Sequence, residues 1–140
     1  MGSPEPSGPR LVELDGVIAV AEFRAALRRF LRQSELVAKA CGLTSQRYLL
    51  LLMIKGAADR SEQTTVTELT ERLQLAQNTV TDLVRRSEQA GLISRDSSPR
   101  DARVTYLRLT AHGEHSLARV LAGLAEDRRA LREAIDSLDS

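Results

Sequence analysis

The sequence has 140 residues, 42% hydrophobic and 28% charged, with a formal net charge of +1. That length builds one ordinary domain with its own core, and the balance is globular rather than disordered or fibrous. The longest apolar run, Tyr48 to Ile54, is far short of the ~20 residues that cross a bilayer, so no membrane is expected. Residues 1–10 contain no apolar stretch that would make a secretory signal. Residues 1–14, rich in Gly, Ser and Pro, read as a disordered tail, and residues 15–140 as one domain. Cys41, the single cysteine, has no partner for an internal disulfide, which fits a reducing, cytoplasmic setting.

From Asp15 to Cys41 there is no proline, and Val17, Ile18, Ala21, Leu27, Phe30, Leu31, Leu36 and Val37 recur near helical spacing, which predicts one long helix stopped by Gly42. Thr44 or Ser45 caps a second helix over 45–55. Its run from Tyr48 to Ile54 is apolar on every face, so it must be buried on several sides. Periodicity alone also allows a buried strand; the cap and the following Lys55-Gly56 favour helix. Residues 57–64 are a polar loop, and Thr65-Val66 a very short strand. Thr67 is the N-cap of a short helix over 68–73 that aligns Leu69 with Leu73. After the tight turn Gln74-Leu75-Ala76, a helix from Gln77 to Ala90 turns Val80, Leu83, Val84 and Ser87 inward and stops at Gly91.

Beyond Gly91 the period changes. Leu92–Asp96 and Val104–Leu109 alternate as strands around the turn-rich, charged segment 97–103, which together predict a β-hairpin. Thr110 caps a final helical stretch that carries Leu117, Val120, Leu121, Leu124, Leu131, Ile135 and Leu138, with a break near 123–127. The fold class is therefore mainly α with a small β-hairpin. Short helix, tight turn, helix and hairpin form a winged helix-turn-helix over 43–109, flanked by terminal helical regions at 15–42 and 110–140.

Between residues 85 and 108, six arginines (Arg85, Arg86, Arg95, Arg100, Arg103, Arg108) stand against Glu88, Asp96 and Asp101, a local basic patch. Arginine outnumbers lysine eighteen to two along the chain, so part of this is a general bias. In the second helix of the motif, Gln77, Asn78, Thr79, Thr81, Asp82, Arg85, Arg86 and Gln89 face away from the core. A helix of this kind enters the major groove, where each base pair displays a distinct donor and acceptor pattern. The candidate DNA contacts on it are Gln77, Asn78, Thr79, Thr81, Arg85 and Arg86. Those in the hairpin are Arg95, Arg100, Asp101 and Arg103; an arginine at the tip suits a narrow minor groove, and Asp101 is placed to orient one. The bland alternative is a solvated helix face and a charged loop.

Leu43 to Leu121 resemble the multiple antibiotic resistance regulator (MarR) family. The resemblance rests on Leu43-Thr44-Ser45-Gln46-Arg47-Tyr48, Val66-Thr67-Glu68-Leu69, Asn78-Thr79-Val80-Thr81-Asp82-Leu83-Val84-Arg85-Arg86, Gly91-Leu92-Ile93, Asp101-Ala102-Arg103 and Leu109-Thr110-Ala111-His112-Gly113. It implies a homodimer whose terminal helices intertwine, acting on double-stranded DNA at a near-palindromic operator as a repressor or activator. It also implies release by a small-molecule effector, held in a crevice near Phe30, Arg47 and Tyr48.

No cofactor or metal is expected. His112 and His115, three apart around Glu114, would begin a zinc site, but Cys41 is the only further His or Cys. The chain has no phosphate loop, no nucleophile elbow and no cysteine pair, and the carboxylates at Glu126-Asp127 and Asp136–Asp139 read as solvated faces, so an enzyme is not expected. Two alternatives stay open. One is a winged helix that binds only protein, which would not need arginines at 85, 86, 100 and 103. The other is a thiol-based peroxide sensor working through Cys41. In relatives of that kind, the resemblance implies, the reactive cysteine lies early in the first helix; Cys41 lies at its end, where the helix dipole disfavours a thiolate.

Overall fold

The computed structural model describes residue 2 and residues 11–139, so most of the expected tail at 1–14 lies outside the described residues. The elements in chain order are α1 (Leu14–Ala40), α2 (Ser45–Lys55), β1 (Gln63–Thr64), α3 (Val66–Leu73), α4 (Gln77–Gln89), β2 (Ile93–Ser97), β3 (Thr105–Leu109), α5 (Ala111–Gly123) and α6 (Ala125–Asp136), followed by a short 3-10 turn, Ser137–Asp139. The chain divides into two compact units, Met1–Arg32 with Glu126–Ser140, and Gln33–Ala125.

The core lies in the unit Gln33–Ala125. Leu50, Leu51 and Ile54 of α2 are fully buried, as are Leu69 of α3, Val80 and Val84 of α4, Leu107 of β3 and Val120 of α5. The all-round apolar run of α2 explains its place at the centre, packed against α3, α4, α5 and β3. Thr44 begins this helix, its Oγ1 accepting the Arg47 N–H at 3.1 Å.

Two helices end on the same device. The Leu43 N–H donates to the Ala38 carbonyl at 2.9 Å and the Gly42 N–H to Lys39 at 3.0 Å. At the end of α4, Leu92 donates to Ser87 and Gly91 to Glu88, both at 3.0 Å. These are Schellman motifs, which need a left-handed residue just past the helix; Gly42 (φ 81°) and Gly91 (φ 75°) supply it without a Cβ penalty.

The segment between α2 and α3 differs from the sequence expectation. Thr65, not Thr67, caps α3, accepting the Glu68 N–H at 3.2 Å, so the helix begins two residues earlier than expected. This frame puts Glu68 third after the cap, as in a capping box. Its carboxylate, however, accepts from the Thr64 hydroxyl at 2.6 Å. The short strand expected at Thr65-Val66 is instead Gln63–Thr64, and it pairs antiparallel with β3, Gln63 opposite Arg108 and Thr64 opposite Leu107. The hairpin is thus part of a three-stranded sheet in the order β1-β3-β2. Two residues are too few to show a strand period in sequence.

One residue ties the base of this hairpin to the end of α4. The Thr110 N–H donates to the Leu92 carbonyl at 3.0 Å, and its hydroxyl donates to the Gly91 carbonyl at 2.6 Å. The same oxygen accepts the Gly113 N–H at 3.1 Å and so caps α5. Gly113 completes the join: a Cβ there would lie 2.1 Å from the Leu92 carbonyl oxygen.

In the unit Met1–Arg32 with Glu126–Ser140, Leu14, Val17, Ile18, Val20, Leu31 and Ile135 remain exposed, and α6 buries none of its residues. The helix break expected near 123–127 falls at Leu124. Among the described residues, no helix is long and apolar enough to cross a membrane.

Thr110→Val keeps the branched shape and removes both hydroxyl bonds. It is expected to destabilise the fold by about 1–3 kcal/mol, whereas Thr110→Ser stays close to the parent. Gly113→Ala should cost at least as much, because its new methyl meets a backbone oxygen. Urea unfolding measures all three; an unchanged midpoint for Thr110→Val would remove the clamp from the account.

Candidate nucleic-acid interface

α3 ends at Gln74, which takes the left-handed conformation (φ 54°), and the chain turns through Leu75 and Ala76 into α4. Val80, Leu83, Val84 and Ser87 are buried, the inner face read from the sequence. Gln77, Asn78, Thr79, Thr81, Arg85, Arg86 and Gln89 are exposed on the opposite face, with Asp82 half-buried among them. A helix leaves its first-turn N–H groups without carbonyl partners. Ala76 has no side-chain oxygen to cap them, and Asn78 Oδ1 covers only that of Thr79, at 2.9 Å. The start of α4 therefore presents outward-facing donors beside amide and hydroxyl side chains.

The arginines differ in their restraints. Asp82 holds two: Oδ1 accepts from Arg85 at 2.5 Å, and Oδ2 lies 3.0 Å from Arg86 Nε. Arg95 Nε bonds Glu88 Oε1 at 3.0 Å and so links β2 to α4. Arg108 donates to Gln63 Oε1 at 3.0 Å, across the β1–β3 pairing, so this member of the basic patch helps to hold the sheet. Sequence reasoning did not single out Asp82 and Glu88 as arginine partners. The signal for Asp82 was present, as acid and base stand three and four residues apart on one helix.

At the wing tip, Ser98 Oγ accepts the N–H groups of Arg100 (3.2 Å) and Asp101 (3.3 Å). Asp101 Oδ1 accepts the Arg103 N–H at 3.0 Å and its Nε at 3.1 Å, while Oδ2 accepts from a terminal guanidinium nitrogen at 3.4 Å. These bonds from Arg103 hold the Asp101 carboxyl below its ordinary range, the side-chain bond first and the backbone bond second. Arg103 nonetheless keeps 91% of its side chain exposed. The wing therefore offers a cation that is aimed by its neighbour yet open to solvent, with Arg100 exposed beside it.

Phe30 is half-buried in the unit Met1–Arg32, whereas Arg47 and Tyr48 belong to the unit Gln33–Ala125. Tyr48 is buried in the core, and Arg47 sits in the first turn of α2. Cys41 is half-buried against the core just past α1, its N–H bonded to the carbonyls of Val37 and Ala38. His112 and His115 are exposed at the start of α5, and among the described residues no cluster of His, Cys, Asp and Glu could hold a metal ion.

A helix pair, a tight turn, an exposed polar second helix and a hairpin with a basic tip define a winged helix-turn-helix protein. Residues 42–104 match the MarR family. The chain is 33% identical over 89 residues to the organic hydroperoxide resistance transcriptional regulator of Bacillus subtilis (strain 168), covering 64% of this chain and 58% of that protein. Its fold is similar to that of wild-type MarR from E. coli in the apo form (TM-score 0.67, 18% identity, 89% of this chain and 86% of the other). It is similar also to a mutant MarR from E. coli complexed with operator DNA (TM-score 0.64, 19% identity, 86% and 85%). The match to the MarR family thus spans the winged helix, and the fold is MarR-like.

The Asp101–Arg103 pair has a pH signature. Because the folded carboxyl titrates below its unfolded value, the pairing is fully present above the ordinary aspartate range and disappears as pH falls through the depressed value. Carboxyl NMR is expected to show Asp101 titrating below a free aspartate, and Arg103→Ala should raise it toward the ordinary value. Between pH 5 and 8 the wing tip should not change; an Asp101 midpoint indifferent to Arg103→Ala would refute the pairing.

Proposed function

We propose that the chain is a sequence-specific, double-stranded DNA-binding transcriptional regulator, a ligand-responsive repressor that acts as a homodimer at a near-palindromic operator. The observation that carries this reading is the pairing of two surfaces on one lobe: the outward polar face of α4 and the exposed, Asp101-aimed Arg103 at the wing tip. α4 fits the major groove, where Gln77, Asn78, Thr79, Thr81, Arg85 and Arg86 reach base edges or phosphates. The wing lies along the flanking minor groove, where Arg100 and Arg103 meet an enhanced negative potential. Arg95, tied to Glu88, fixes the wing against the helix and contributes its charge to the same face.

The exposed apolar residues of α1 and Ile135 of α6 support dimerisation, since a second chain would remove that surface from water. A two-fold dimer sets its two α4 helices about one DNA turn, ~34 Å, apart. Phe30, Arg47 and Tyr48 remain the candidate effector residues, and the setting is cytoplasmic. The chain spans 58% of the length of the curated relative that it matches.

Titration of Arg86→Ala and Arg103→Ala against a duplex library at several salt concentrations tests this reading. Arg86→Ala should cost roughly 1–3 kcal/mol and relax the preference at one operator position per half-site. Arg103→Ala should weaken many sequences alike and lower the salt slope by about one for every phosphate that the guanidinium no longer neutralises. Two chains per operator are expected from sedimentation of the complex. If neither substitution changes affinity, a protein-binding winged helix becomes the better reading.

The likeness to an organic hydroperoxide resistance regulator favours a second reading, a peroxide response through Cys41, the only thiol. Against it stands the position of Cys41 just past the C-terminal end of α1, where the helix dipole gives a thiolate no support. Cys41→Ser is therefore expected to bind DNA as the parent does, with or without organic hydroperoxide. Hydroperoxide-triggered release in the parent that is absent in Cys41→Ser would establish the second reading instead.

A further inference from the structure

Asp82 is an acidic residue in the middle of the face of α4 that is proposed to meet a polyanion. It lines a shallow, open depression with Gln77, Asn78, Thr81 and Arg85. Its two oxygens are divided between two arginines, Oδ1 toward Arg85 and Oδ2 toward Arg86, and its side chain keeps 43% of its exposure. A carboxylate offers about four acceptor positions, so each oxygen retains capacity for a further donor on the open side. Exposed pairs three and four residues apart on a helix contribute little to stability, which leaves the charge itself to be explained.

Toward DNA, a carboxylate at this place discriminates. Phosphates repel it in any register, which lowers affinity for arbitrary sequence. Only a base that presents an amino group to the major groove turns the repulsion into a hydrogen bond, and for Asp or Glu the matching donor is N4 of cytosine. We infer that Asp82 is a specificity-determining residue: it accepts from the exocyclic amino group of a cytosine in the major groove and keeps Arg85 and Arg86 from clamping arbitrary phosphates. When Asp82 engages the base, the two arginines beside it stay aligned for a guanine edge or the backbone. The inference rests on the DNA-binding reading above and assigns a base to one residue of that surface.

The experiment is selection from a randomised ~30-base-pair duplex library with the full-length chain, Asp82→Asn and Asp82→Ala, at two salt concentrations, with unfolding curves for each protein. The unsubstituted chain should enrich cytosine at one position of each half-site. Asp82→Asn should move that preference to adenine, because an asparagine amide pairs with adenine N6 and N7. Asp82→Ala should lose the preference by roughly fivefold or more. It should also bind unselected duplex more tightly, with a salt slope steeper by about one per chain. If the unsubstituted chain selects a sequence and both variants return the same base profile, the inference is overturned while the DNA-binding reading stands. A drop in unfolding midpoint with an unchanged profile overturns it in the same way, as a purely structural role. If the unsubstituted chain selects no sequence, the DNA-binding reading falls, and this inference falls with it.

Discussion

The unit Gln33–Ala125 is organised around one meeting point, where Gly91 and Leu92 leave α4 and Thr110 enters α5. A hairpin on a helix-turn-helix is useful only if its tip and the exposed helix hold a fixed relation, and a two-stranded ribbon alone is marginally stable in water. Thr110 supplies that relation with one hydroxyl and one amide: it bonds both carbonyls that follow α4 while starting α5. Gly113 lets the new helix approach the Leu92 backbone. β1, only two residues long, then closes the other side of β3.

Restraint of cations is the second theme. On this lobe Arg85, Arg86, Arg95 and Arg103 each meet a carboxylate, from Asp82, Glu88 or Asp101, and Arg108 meets an amide. Such pairs are weak as stabilisers, but a long side chain held in one rotamer loses less entropy when it binds. The near-neutral chain thus presents its positive charge as aimed groups rather than as a diffuse field. That arrangement suits recognition of particular positions more than general attraction to a polyanion.

Much of this was legible from sequence, and the reasons differ by element. The inner face of α4, Val80, Leu83, Val84 and Ser87, was readable because three and a half turns are enough to express a helical period. Gly42 and Gly91 marked helix ends because only a residue without a Cβ enters the left-handed region cheaply. The frame of α3 was misread because Thr65 and Thr67 are both acceptable caps, and the choice goes with the Thr64–Glu68 bond and with the pairing of β1 with β3, a long-range contact that no local pattern announces. On the candidate site, sequence named the outward residues and the Asp101–Arg103 pair. It missed how Asp82 is shared, although the spacing of Asp82, Arg85 and Arg86 on one helix carried that signal, and how Arg108 is taken up by Gln63, since a bond between strands leaves no periodic trace.

The strand order β1-β3-β2 places β2 at a margin of the sheet. A margin strand offers unpaired amide and carbonyl groups along its far side, an invitation for another chain to add itself as a further strand. β2 reads Ile-Ser-Arg-Asp-Ser, buried only at Ile93 and charged in its middle, and Pro99 follows two residues beyond its end. Charge and proline are the features that blunt such edges. The segment that carries the basic tip therefore also guards the molecule against polymerising through its own sheet, and an apolar, β-branched replacement of Arg95 or Asp96 would remove that guard before it disturbed the fold.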